Sequence, residues 1–72
     1  MSETPLINHI MKKANVDELK AVMILYHLIR LFGTNNVNIN CIDDLLKHSE
    51  EDGYNDPLDL IVETCEALGI YP

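Results

Sequence analysis

The chain's three glycines, Gly33, Gly53 and Gly69, and two of its three prolines, Pro5 and Pro57, all stand where a helix would begin or end. Proline lacks the N–H that the first turn of a helix leaves unpaired anyway. Glycine reaches the left-handed conformation that closes a helix. Between these marks the apolar residues recur at intervals of three and four, the α-helical period. Only Val37 and Ile39 alternate with polar residues as a strand would, and that stretch allows a very short extended segment at most. The chain is therefore expected to be all-α, a compact bundle of four short helices at about 5–14, 16–32, 41–52 and 57–68 with short connections.

Each predicted helix has its own start signal. Thr4 caps the first, with Pro5 at its first position and Leu6, Ile7, Ile10, Met11 and Ala14 on one face. Asn15 is the expected cap of the second, with Glu18 three residues on as in a capping box. Asn40 is the expected cap of the third, whose stripe is Ile42, Leu45 and Leu46. Asp56 caps the fourth, followed by Pro57, with Leu58, Ile61, Val62, Cys65 and Leu68 as its buried face. Ile70 is placed to fold back on Cys65 behind Gly69.

At 72 residues there is room for one domain, and its core is small: such a domain buries only about 60% of the surface of its unfolded chain. Residues 22 to 29 are apolar on nearly every side of the second helix. Such a helix is either central to the fold or turns one face to another chain. Val22, Met23, Tyr26, Ile29 and Phe32 are the candidate apolar interface, for a homodimer or a partner helix. A membrane span needs about 20 apolar residues. The run from Ala21 to Phe32 is shorter, and His27 and Arg30 interrupt it. It also starts too late for a signal peptide. Cys41 and Cys65 fall on apolar helix positions and read as buried free thiols. A cytoplasmic, reducing location is expected.

The charge is unevenly placed. Residues 1–33 hold four cations and three acids, a balance of +1. Residues 34–72 hold nine acids and Lys47 alone, a balance of −8, giving −7 for the chain. Asp56, Asp59, Glu63 and Glu66 fall at helical spacing along one face. Asp43 and Glu50 flank Lys47 on the third helix, Asp44 and Glu51 flank His48, and Asp52 extends the cluster at its end. Natural surfaces usually mix the two signs. A row of acids is an ordinary solvated face, but a one-sign field also steers association with an opposite surface.

Several chemistries fail on inspection. A calcium loop with Gly53 as its glycine would put His48 at the first ligand position and Asp59 at the last, wrong at both ends. His9, His27 and His48 are far apart, and no short-spaced ligand pair marks a zinc site. Cys41 and Cys65 have no neighbouring base, Ser49 beside His48 faces elsewhere, and no glycine-rich phosphate loop exists. Small acidic acyl carrier proteins resemble the chain in size and charge. They carry a serine after an aspartate at a helix start; here Ser49 follows His48 late in a helix, so that motif is absent. Direct nucleic-acid binding is disfavoured, because the third and fourth helices offer only Lys47 to phosphates.

The expected function is therefore non-enzymatic, with no cofactor and no metal. The chain reads as a small regulatory or inhibitory protein. Its acidic residues Asp43, Asp44, Glu50, Glu51, Asp52, Asp56, Asp59, Glu63 and Glu66 would cover a basic surface, foremost on a nucleic-acid-binding protein. Its carboxylates could stand in for phosphates, as in a DNA mimic of viral or mobile-element origin. The alternative is self-association or scaffolding through the second helix, the acids serving only solubility.

Overall fold

A computed structural model describes residues 4–70. The helices are α1 (Thr4–Ala14), α2 (Glu18–Phe32), α3 (Ile39–Glu51) and α4 (Pro57–Ala67), with one 3-10 turn at Thr34–Asn36. There is no strand among the described residues. α1 packs on α2 and α3, and α4 packs on the same two, so the helices form a ring in the order α1, α2, α4, α3. The Cα radius of gyration is 11.2 Å, matching the roughly 11 Å of a compact chain of this length.

The inner stripes meet as their spacing requires. Ile10 of α1, Ile24 and Leu28 of α2 and Ile42 of α3 are fully buried. Ala21, Leu25, Leu45, Ile61 and Cys65 complete the centre, and Val37 plugs it from the loop. Each large aliphatic side chain so buried stabilises the fold by about 1.5–3 kcal/mol. Leu6, Ile7, Met11 and Ala14 of α1 pack around this centre. Ser49 is the one buried polar residue among the described residues. Among the described residues no buried side-chain polar atom lacks a partner.

The caps correct two expected boundaries. Asn15 does not start α2; it ends α1, at φ 55°, while the Val16 N–H reaches the Met11 carbonyl at 3.3 Å. Asparagine tolerates the left-handed region, so this Schellman-type stop outweighs its capping ability. The cap passes to Asp17, whose carboxylate accepts the Lys20 N–H at 2.9 Å, and α2 begins at Glu18 rather than 16. α3 begins at Ile39 rather than 41, because Asn38 and not Asn40 is in extended backbone and accepts the Cys41 N–H at 2.9 Å. A 3-10 turn precedes the stretch where the sequence allows a very short extended segment; there Val37 and Asn38 have extended backbone, and Ile39 already begins α3. α1 starts at Thr4 itself, one residue before the expected 5.

The other stops and starts fall where glycine and proline mark them. Gly33 closes α2 at φ 96°, ψ 149°, a region essentially confined to glycine. Asn36 Nδ2 donates to the Phe32 carbonyl there at 2.7 Å. Asp56 caps α4 by accepting the Leu58 N–H at 2.9 Å, with Pro57 at the first position. α3 and α4 end at Glu51 and Ala67, one residue short of the expected 52 and 68. Leu68, expected on the buried face, is 62% exposed. It stands at the capping position, where the chain leaves the helical path. Ile70 turns back instead, donating its N–H to the Cys65 carbonyl at 2.8 Å and packing on the core.

Candidate functional site

The nine acids do not share one face. On α4, Asp59, Glu63 and Glu66 point outward, opposite the stripe of Ile61 and Cys65. With Tyr54, Leu58 and Val62 they line a shallow cup of about 410 Å³ into which no Lys or Arg projects. The Tyr54 hydroxyl donates to Glu63 Oε1 at 2.8 Å. That hydrogen bond first, then partial burial and the surrounding carboxylates, pushes the Tyr54 phenol above its ordinary pKa. The Schellman closure of α3 puts Tyr54 there: its N–H bonds the Ser49 carbonyl at 2.9 Å while Gly53 takes φ 79°.

Asp56, expected as the first acid of that row, is occupied by the fold. One oxygen caps α4 and the other holds the Lys20 ammonium of α2. Burial pushes the Asp56 carboxyl up, but the Lys20 hydrogen bond, the Leu58 N–H and the Lys20 charge outweigh it and leave the pKa lowered. Lys20 is raised in turn, chiefly by the hydrogen bond to Asp56 and by its charge, and it also feels Asp59.

The acids of α3 divide between its two flanks. Asp43 and Glu50 border a concavity of about 430 Å³ that also contains Lys13 and Lys47, so its charge is mixed. Asp43 accepts a hydrogen bond from His9 Nε2 of α1 at 2.7 Å. Asp44 and Asp52 border another groove, of about 490 Å³, between α2, α3 and α4. Glu51 stands 4.0 Å from His48 on the same flank.

The five candidate apolar residues also separate. Val22, Met23 and Tyr26 are exposed on the outer side of α2, and Leu19, 70% exposed, joins them. Leu19 was missed because it lies outside the dense apolar run. Ile29 packs partly against the core. Phe32, half exposed, lies at the end of α2 over the groove shared with α3 and α4. Arg30 sits over the Tyr26 ring, 5.7 Å from its centre, and gives the outer strip a cationic end. His27 Nδ1 donates to the Met23 carbonyl at 2.8 Å.

Burial pushes both thiols up, Cys41 on the groove wall and Cys65 in the core, which keeps them protonated rather than nucleophilic. Among the described residues no three His, Cys, Asp or Glu side chains are grouped to hold a metal ion. No described helix is long and apolar enough to cross a membrane. The outer side of α4 and the turn before it thus bring three carboxylates and one aromatic side chain to the same cup. Comparison with family models, with curated proteins and with solved structures finds no match for this chain.

Proposed function

We propose that this protein is a small regulatory or inhibitory binder whose acidic C-terminal helices engage a basic surface of another protein, foremost one that itself binds nucleic acid. The observation that carries the reading is the cup on α4. Asp59, Glu63 and Glu66 surround Tyr54, with no cation among the lining residues. A Lys or Arg entering it meets carboxylates and an aromatic side chain together, groups that favour a guanidinium. The balance of −8 over residues 34–72 adds long-range attraction for such a partner. Mimicry of nucleic acid is the extreme form of the same proposal, with these carboxylates in a site shaped for phosphates.

The test is capture of partners on the immobilised protein across a salt series, beside the triple variant Asp59→Lys, Glu63→Lys, Glu66→Lys. The reading expects a basic protein that elutes as salt rises and that the variant does not hold, because exposed charge contacts are screened. Retention of the same partner by the variant would overturn it.

A second reading rests on the outer strip of α2. Leu19, Val22, Met23 and Tyr26 expose apolar surface side by side, as a face for self-association would. It expects a mass above the monomer in sedimentation, lost in Met23→Asp, and a partner that high salt does not release.

A further inference from the structure

We propose that the groove between α2, α3 and α4 is the docking seat for an amphipathic helix of the partner, one that presents an apolar stripe edged with Lys or Arg. This rests on the acidic-surface reading above and names where the apolar part of that partner goes. Leu28, Leu45 and Ile61 of the core form the floor of the groove, and Leu31 and Leu60 wall it. Phe32 lies at its lip, half exposed. A hydrophobic groove of this kind can receive the apolar face of an amphipathic helix, through side chains at i, i+3, i+4 and i+7. A buried anchor in such a seat dominates the binding energy.

The charge at the mouth selects the occupant. Asp44 and Asp52 stand there, with His48, and no Lys or Arg lines the groove. The concavity between α1 and α3 has Lys13 and Lys47 at its edge and lacks this selectivity. A partner stripe flanked by cations is therefore favoured and one flanked by acids repelled. A second copy of the chain fits poorly. Each copy carries −7, and its exposed strip on α2 is a different patch from the groove, so a copy would bring net like charge to the acidic mouth.

The experiment titrates the isotope-labelled full chain with two synthetic peptides of equal charge. One carries leucines at i, i+4 spacing among lysines; the other has serine in place of each leucine. The leucine peptide is expected to shift the resonances of Leu31, Phe32 and Leu60 and to bind at least about tenfold more tightly than the serine peptide. Phe32→Ser is expected to remove that advantage, and Met23→Ser to leave it. Because Phe32 is half exposed the variant should fold, and the map on the unaltered protein stands without it. Equal binding by both peptides, or shifts only at Asp59, Glu63 and Glu66, would overturn the groove while leaving the acidic-surface reading intact. Failure of both peptides to bind would sink both. Groove resonances that move with protein concentration alone would assign the seat to a second copy and overturn the proposal.

Discussion

Helices α2 and α4 pack on each other and do the same work on their inner sides, yet their outer sides are opposites. Inside, Ile24 and Leu28 meet Ile61 and Cys65. Outside, α2 shows Leu19, Val22, Met23 and Tyr26, while α4 shows Asp59, Glu63 and Glu66. Packing explains the first pair of stripes and says nothing about the second. The outer faces are therefore where the two proposed readings part, apolar contact on one helix and charge on its neighbour.

The largest expected effects test whether the inner stripes are equivalent. Ile24→Ala and Ile61→Ala should each lose about 2–5 kcal/mol in denaturant unfolding, because both leave cavities in a close-packed centre. A loss at one site several times that at the other would break the symmetry between the helices. Next comes the tie that joins α2 to α4. Asp56→Asn keeps a capping side chain and removes the ion pair with Lys20. Both groups are partly exposed, so the loss at neutral pH should be small, well below that of either core substitution. Its pH dependence has a definite sign. Asp56 has a lowered pKa when folded, so its contribution is present above its unfolded value and is lost as pH falls through the folded one. Lys20 is raised, so the same contribution is lost as pH rises through the folded Lys20 value. Unfolding midpoints of parent and variant should converge at both ends of a pH series and stay apart between. A gap that did not narrow would assign the effect to the cap.

Smaller effects sharpen the contrast between the outer faces. The triple lysine variant of α4 should change folding stability by less than about 1 kcal/mol, as surface substitutions do, while abolishing salt-sensitive capture. Leu19→Ser should change unfolding by no more than about 0.5 kcal/mol. Analytical ultracentrifugation of that variant decides whether the outer strip of α2 joins copies: an unchanged mass distribution would remove self-association through Leu19.

The bundle was readable because its punctuation is redundant. Pro57 after Asp56, and Gly53 and Gly69 behind their stripes, each mark one boundary in two ways. The asparagines were ambiguous because the same side chain suits both a helix start and a left-handed stop. Asn15 took the stop, and Asn38 took the start expected of Asn40. Leu68 looked buried by spacing, but the helix ends before it. The acids are evident as a composition; their grouping is not. Asp56 is withdrawn from the surface by Lys20, thirty-six residues away in sequence, and Asp43 is joined to His9 of α1. The groove under Phe32 needs three helices to exist, so no single periodicity announces it.

The ring order of the helices also bears on how quickly the molecule assembles. Its connections are short, and the contacts that close the ring, α1 on α3 and α2 on α4, each skip one helix only. Chains with such local topology reach the native state in roughly microseconds to milliseconds. The strip from Leu19 to Tyr26 and the unfilled inner stripes are then exposed together only briefly. A newly made chain would bury its centre before it meets a second unfolded copy. Rapid closure of the ring thus guards a surface that, left open for longer, would draw chains into aggregates.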